Sequence, residues 1–174
     1  DLHPGIHAFL TERPAKKTLV VLLTSDRGLC GSLNTHLLRQ ADQYIKNKPE
    51  DVTVEWAAVG RKGQQFLHKM GQNVVAAFPA FSNHPRFRDI LPLSKMLLEG
   101  FQKETYDHVI VMYPHFVSAL VQQAETKTLL PLSTYTLEQL AKTMPDVAEQ
   151  FQEAIHTNGD IRINVSVSIA YEAS

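Results

Sequence analysis

Apolar residues along the chain are grouped in short runs separated by amphipathic stretches, a pattern typical of alternating strands and helices. Residues 18–24 form a run rich in valine and leucine, which predicts a strand buried on both faces, as in a parallel sheet. Pro114 is expected to end a later strand. Residues 116–132 suit extended structure better than a helix, so we predict a fifth strand there, and an antiparallel position at an edge is one option for it. The other strands are predicted at residues 52–59, 73–78 and 108–113.

Helical periodicity follows the first three of these strands. The first helix is predicted at about residues 34–45, with Ser32 or Asn34 as its cap. The side chains spaced to face the sheet from this helix are Leu33, Leu37, Ala41 and Ile45.

Two shorter helices complete the alternation. One is predicted at residues 61–70 and closed by Gly71 in a left-handed conformation, and the other at residues 91–101, stopped by Gly100. The rhythm of strand and helix argues for an α/β fold, a doubly wound open sheet of about five mostly parallel strands with helices on both faces.

The last part of the chain has a mixed pattern. Residues 137–155 read as a helix, whereas residues 161–169 alternate β-branched and polar residues, as an amphipathic strand does. We expect a single domain throughout the chain, with residues 1–17 as a linker, residues 18–132 as the α/β core and residues 133–174 as a C-terminal helical region.

The composition is that of an ordinary globular protein and does not indicate a particular activity. The chain has 174 residues, of which 44% are hydrophobic, and a net charge of -1, so it gives no overall attraction to nucleic acid or to an anionic membrane. A single cysteine, Cys30, excludes an intramolecular disulfide. Because the chain opens with Asp1 rather than Met, we expect that it is a piece of a longer chain or a processed one.

The turn at residues 25–34 is the strongest candidate site, because it follows the first strand at the edge where open α/β sheets usually build their sites. Gly28 and Gly31 permit a tight turn and a close backbone approach. Such a turn can hold a phosphate on helix-terminal amides, although neither a Walker nor a Gly-x-Gly-x-x-Gly pattern is present. Cys30 is a candidate nucleophile near a helix N-terminus, although cysteines are more often small buried hydrophobes.

Other candidate chemistry is weaker. The eight histidines show no spacing typical of metal ligands, and no serine lies in the Gly-x-Ser-x-Gly turn of a hydrolase. Asp26 and Arg27 are expected either to pair with each other or to contact a partner. Trp56 is interpreted as a core residue. The residues by themselves therefore indicate an α/β domain with a structured turn and without a visible catalytic set.

Residues 22–34, which read Leu-Leu-Thr-Ser-Asp-Arg-Gly-Leu-Cys-Gly-Ser-Leu-Asn, resemble the signature of the gamma subunit of F-type ATP synthases. The resemblance extends over about residues 2–132. Supporting landmarks are His3-Pro4, residues 12–17, residues 60–63, residues 71–74 and residues 129–132.

The resemblance implies a Rossmann-like domain that binds no nucleotide, cofactor or metal and is not itself an enzyme. It implies the foot of a central rotor stalk, docked to the epsilon subunit and the membrane c-ring, with a coiled coil that reaches the alpha and beta subunits and couples ion flow to ATP synthesis. It also implies a peripheral membrane protein on the cytoplasmic face of the inner membrane, or on the matrix or stroma side in an organelle, without a nucleic-acid partner. Both axle helices of the coiled coil are missing from the sequence, which favours an excised or truncated domain over a natural stand-alone homologue.

The resemblance also marks the motif residues as candidates for contact with a partner subunit. These residues are Ser25, Asp26, Arg27, Gly28, Leu29, Cys30, Gly31 and Asn34. The competing interpretation is that Asp26, Arg27 and Asn34 fix the turn through local hydrogen bonds to backbone amides. The alternative function is a stand-alone nucleotide- or phosphate-binding α/β enzyme that uses the turn between Gly28 and Gly31.

Overall fold

The computed structural model describes residues 9–26, 31–81, 87–116 and 122–131. Five strands and three helices lie within these residues. In chain order they are β1 (Lys17–Leu23), α1 (Gly31–Asn47), β2 (Thr53–Val59), α2 (Arg61–Lys69), β3 (Val74–Phe78), α3 (Phe87–Gln102), β4 (His108–Phe116) and β5 (Gln122–Leu130).

The strands form one sheet in the order β3-β2-β1-β4-β5. The first four strands are parallel, and β5 runs antiparallel to β4 at an edge of the sheet. In the centre, Val20 of β1 lies opposite Trp56 of β2 and Ile110 of β4. The predicted open sheet and its fifth, antiparallel edge strand are confirmed.

The sheet has a hydrophobic core on each face, because successive side chains of a strand point to opposite sides. Leu19 and Val21 pack in one core with apolar residues of α3. Val20 and Leu22 pack in the other core with residues of α1 and α2. Every residue from Leu19 to Leu22 is fully buried. This explains why β1 is a continuous apolar run, and it confirms the prediction of helices on both faces.

Several predicted element boundaries on the described residues are wrong, among them the end of β4 and the start of α1. Pro114 does not end β4, which continues to Phe116 and pairs Pro114 with Ala124 of β5. The pairing of β4 with β1 ends at Met112, so Pro114 has a neighbouring strand on one side only and its missing N–H is tolerated. The first helix begins at Gly31, three residues before the predicted start.

The third helix also differs from its prediction. It begins at Phe87, four residues early, and passes through Gly100 to Gln102. A Cβ atom at position 100 would lie 2.6 Å from Cδ2 of the Tyr106 ring. Gly100 therefore makes room for an aromatic ring and does not end the helix.

The predictions for Gly71 and Trp56 are confirmed. Gly71 has a φ of 67° at the end of α2, which confirms its left-handed conformation, and Trp56 is fully buried. Phe9, in the predicted linker, is 4% exposed and belongs to the core on the α3 side. The predicted helix at 137–155 and the predicted strand at 161–169 lie outside the described residues.

Candidate functional site

The carboxyl end of β1 is tied to β2 and α2 through the side chain of Thr24. Its Oγ1 donates a hydrogen bond to the carbonyl oxygen of Val59 (2.8 Å) and accepts one from the backbone N–H of Gly63 (3.0 Å). The backbone N–H of Thr24 also donates to the oxygen of Val59 (2.9 Å). Thr24 is 6% exposed, so these bonds replace water that the buried groups cannot reach.

Asp26 contributes a second group to the start of α2. Its Oδ1 accepts a hydrogen bond from the backbone N–H of Arg61 (2.8 Å), and its Oδ2 lies 3.8 Å from Nε of Arg61. The residue before the helix, Gly60, offers no side-chain cap. The first-turn N–H groups of α2, which a helix leaves without internal partners, are thus capped by Asp26 and Thr24 from another part of the chain, and the carboxylate also suits the positive end of the helix dipole.

Two glycines allow β1 to approach α2 this closely. Gly60 has a φ of 90°, and a Cβ there would lie 2.6 Å from the carbonyl oxygen of Thr24. A Cβ at Gly63 would lie 3.0 Å from Cγ2 of Thr24. The spacing of these glycines is therefore explained by the contact with β1. We refer to Thr24, Asp26, Gly60, Arg61 and Gly63 together as the capping cluster.

Asn34 fixes the other side of the turn. Its Oδ1 accepts a hydrogen bond from the backbone N–H of Ser25 (3.1 Å), and its Nδ2 donates to the carbonyl oxygen of Ser25 (2.9 Å). Asn34 is 3% exposed. Ser32 and Asn34 both lie in the first turn of α1, which begins at Gly31, so the prediction that one of them caps this helix is wrong. The Asn34 side chain instead holds Ser25, nine residues earlier, in place.

The structure thus brings together Ser25, Asp26 and Asn34 of the predicted site residues, and Gly31 begins α1. The other predicted residues, Arg27, Gly28, Leu29 and Cys30, lie outside the described residues. Sequence reasoning did not join Thr24 or Arg61 to this site. The signal that could have found them is the pair of glycines just after the second apolar run, Gly60 and Gly63, since both lie against Thr24.

The capping cluster leaves little room for a phosphate at the start of α2. An anion bound at a helix N-terminus needs free backbone N–H groups, but those of Arg61 and Gly63 already bind Asp26 and Thr24. The Asp26 carboxylate would also repel a phosphate. Within the ranges that the structure describes, no group of three or more histidine, cysteine or acidic side chains is arranged to hold a metal ion.

A second polar cluster anchors the segment before β1. The guanidinium group of Arg13 bonds to Oδ1 of Asp107 (3.3 Å) and to the carbonyl oxygens of Phe101 (3.2 Å) and Tyr106 (2.6 Å). Its central carbon lies 4.3 Å from the centre of the Phe101 ring, close enough for a cation–π interaction. Phe9 stacks on the same ring, with the ring centres 6.0 Å apart. This segment is therefore fixed to the turn between α3 and β4.

Asp107 completes this anchor. Its Oδ2 accepts hydrogen bonds from the backbone N–H groups of Lys16 (3.2 Å) and Lys17 (3.0 Å). Partial burial alone would raise the pKa of the Asp107 carboxyl, but these two bonds and the Arg13 guanidinium outweigh it and hold the pKa below its ordinary value. The carboxylate form is thus the one that the folded chain stabilises.

No helix in the described ranges has the length and apolar character needed to cross a membrane. The fold is similar to that of a chain in the cryo-electron-microscopy structure of the central stalk and c-ring of the Tetrahymena thermophila mitochondrial ATP synthase. That similarity has a TM-score of 0.63 at 21% identity and covers 97% of this chain and 75% of that chain. At this level of identity, the comparison concerns the fold alone.

Sequence comparisons identify the family. An ATP synthase gamma chain of Legionella pneumophila (strain Corby) is 34% identical over 127 residues, which are 72% of this chain and 44% of that relative. One from Roseiflexus sp. (strain RS-1) is 42% identical over 114 residues, or 65% of this chain and 39% of the relative. The chain therefore spans less than half the length of these curated relatives. Since a family model described as ATP synthase also matches residues 2–164, the chain belongs to the gamma-chain family of ATP synthases.

Proposed function

We propose that this chain is the globular foot of a rotor-stalk subunit of an F-type ATP synthase. In this proposal the subunit couples ion flow through the membrane c-ring to ATP synthesis in the alpha/beta hexamer, and the foot docks to the epsilon subunit and the c-ring. The observation that carries the proposal is the sequence match to gamma chains over 127 residues, together with the family model that matches residues 2–164.

The capping cluster occupies one of the helix starts at the carboxyl edge of the sheet. The edge of the sheet where doubly wound proteins commonly bind nucleotides is held together here by the chain's own Thr24 and Asp26. These side chains satisfy backbone N–H groups of α2 that a nucleotide phosphate would use. This closes the start of α2 to a phosphate. The alternative enzyme would instead use the turn between Gly28 and Gly31, at the start of α1, and the ATP titration below tests that site.

A rotor foot has to move as one body, and three features support this. The sheet carries a core on both faces. The capping cluster joins the ends of β1 and β2 to α2, and the Arg13–Asp107 anchor joins the segment before β1 to the turn before β4. Packed cores and buried hydrogen-bond networks resist continuous deformation, so a load applied to one end of the domain is carried through it.

The proposed location follows from the assembly. A foot docked to a membrane ring is peripheral to the membrane, on the cytoplasmic face of the inner membrane or on the matrix or stroma side of an organelle. Contact of the motif residues 25–34 with a partner subunit is part of the same proposal.

Co-purification tests the proposal directly. The full-length parent of this chain, co-expressed with the epsilon subunit of the same organism, should elute with it as one complex in size-exclusion chromatography. A parent that is folded by circular dichroism but elutes without epsilon contradicts the docking role. A matched variant, Lys95→Glu on α3, reverses one exposed charge and controls for nonspecific electrostatic association.

A thermal-shift titration with ATP tests the alternative. A ligand at 100 times its dissociation constant stabilises the folded state by about 2.7 kcal/mol. We expect no shift of the unfolding temperature with ATP. A saturable shift would favour the nucleotide-binding enzyme over the rotor foot.

A further inference from the structure

Charge is distributed unevenly along the chain. Between Glu55 and Asp89 there is no aspartate or glutamate, although the whole chain has a net charge of -1. The stretch holds five cations, so the rest of the chain carries a net charge of -6. The five are Arg61, Lys62, Lys69, Arg86 and Arg88.

The structure places three of these cations on α2, which packs against both β2 and β3. The side chain of Arg61 is 80% exposed, and its ion pair with Asp26 is long at 3.8 Å. His68 and Lys69 are exposed. Lys62 and Lys69 form no ion pair with any described residue. This end of the domain thus presents positive charge that the described residues barely neutralise.

The neighbouring strand β3 has an open edge. It is the last strand in the sheet order, so one side of its backbone has no strand partner among the described residues. Edge strands usually carry charges that discourage pairing with another chain. The opposite edge strand, β5, carries Glu125 and Lys127, whereas β3 has the sequence Val-Val-Ala-Ala-Phe. Its Val75 lies where the pairing of β3 with β2 shifts register, between Val74 and Ala76. Val75 is 42% exposed and is the one exposed large hydrophobic residue in the described ranges.

We infer that β3 and α2 together form a docking surface for an extended, acidic segment of a partner protein, which adds to the sheet as a strand beside β3. Backbone hydrogen bonds along β3 give the affinity, as in other cases of strand addition. Acidic side chains of the segment face the cations of α2, and an apolar side chain of the segment covers Val75. Given five residues in β3, the segment pairs over about five to seven residues.

A protein strand fits this surface better than a membrane or a nucleic acid does. Only an extended polypeptide satisfies the backbone N–H and C=O groups of an open strand edge in a regular ladder. The inference rests on this surface alone, so it holds or fails independently of the rotor assignment.

Synthetic peptides serve as probes in a backbone NMR titration of the chain. The first peptide alternates valine and glutamate over seven positions. It should shift the amide signals of β3 and α2, and its affinity should fall several-fold between about 0.1 M and about 1 M salt, where the screening length shortens from about 10 Å to about 3 Å. A peptide with glutamine in place of glutamate should bind more weakly. A third peptide, N-methylated at every backbone amide so that neither of its edges can donate hydrogen bonds to β3, should not bind.

Lys69→Glu should lower the affinity of the chain for the glutamate peptide by about two- to fivefold, as expected for one exposed charge. The matched control Lys95→Glu, on α3, should leave the affinity unchanged. Three results would overturn the inference: equal binding of the glutamine peptide, equal binding of the N-methylated peptide, or signal shifts confined to β5. Sedimentation of the chain with phosphatidylserine vesicles, without any response of β3 to the peptides, would also overturn it and would point to a lipid surface.

Discussion

Replacing Thr24 by valine tests whether the capping cluster stabilises the domain as its geometry indicates. The two side chains have nearly the same shape, but valine lacks the hydroxyl group that donates to the Val59 carbonyl and accepts from the Gly63 N–H. Thr24 is buried, so the N–H of Gly63 would lose its partner without gaining water. Each lost bond has a net worth of about 1 kcal/mol, and a buried polar group left unsatisfied costs about 1–3 kcal/mol.

We therefore expect Thr24→Val to lower the free energy of unfolding by about 2–4 kcal/mol. The control is Thr24→Ser, which keeps the hydroxyl and removes one methyl group, at a cost of about 1 kcal/mol. Urea unfolding followed by the fluorescence of Trp56, the one tryptophan of the chain, measures both variants. In thermal unfolding, each kcal/mol should lower the midpoint by about 2–4 °C for a domain of this size.

The comparison between the two variants decides the result. Suppose that Thr24→Val lowers the free energy of unfolding no more than Thr24→Ser does, and that the slope of this free energy with urea concentration is unchanged. The hydroxyl group then contributes nothing to stability, and the capping cluster is incidental. If the dependence on urea changes as well, the variant has altered the unfolding transition rather than a single contact, and hydrogen exchange of the Gly63 amide then reports on the bond directly.

Three further predictions concern glycine conformation and the N-terminal anchor. In urea unfolding, Gly60→Ala should lower the free energy of unfolding by at least about 2 kcal/mol, because a Cβ there would lie 2.6 Å from the Thr24 carbonyl oxygen. Gly71→Ala should lower it by about 1 kcal/mol, because Gly71 has a left-handed φ but open space around it. Asp107→Asn should lower the free energy of unfolding at pH 7, and its difference from wild type should shrink below about pH 4. The reason is that folding lowers the pKa of Asp107, so the ionised carboxylate stabilises the folded chain above the unfolded pKa. This stabilisation disappears as the carboxylate is protonated at lower pH. A difference that stays constant from pH 7 to about pH 3 would contradict this reasoning. Arg13→Lys keeps the charge but loses the planar fork that reaches two backbone carbonyls, so it should speed hydrogen exchange of the Lys17 amide; exchange at the wild-type rate would refute the anchor.

The amino-acid sequence by itself determined the fold class and the placement of most elements. Strands that are buried on both faces appear as unbroken apolar runs, and helices appear as stripes with a period of 3.6 residues. Both patterns are local, so β1 and the sheet-facing residues of α1, such as Leu37 and Ala41, were identified correctly. The exact ends of α1 and α3 were missed, because Gly31 and Gly100 read as breaks in the sequence but serve a helix start and a ring contact in the structure.

Only the tertiary structure decided which residues of the site belong together. The Arg13–Asp107 contact joins positions 94 residues apart, and the bond of Thr24 to Gly63 spans 39 residues. Neither pair leaves a periodic trace in the sequence, because each depends on which strand ends lie side by side. The sheet order β3-β2-β1-β4-β5 places the start of α2 next to the end of β1, and it leaves β3 at an open edge. Local pattern sets which side of an element is buried, whereas the order of the strands sets which polar groups meet.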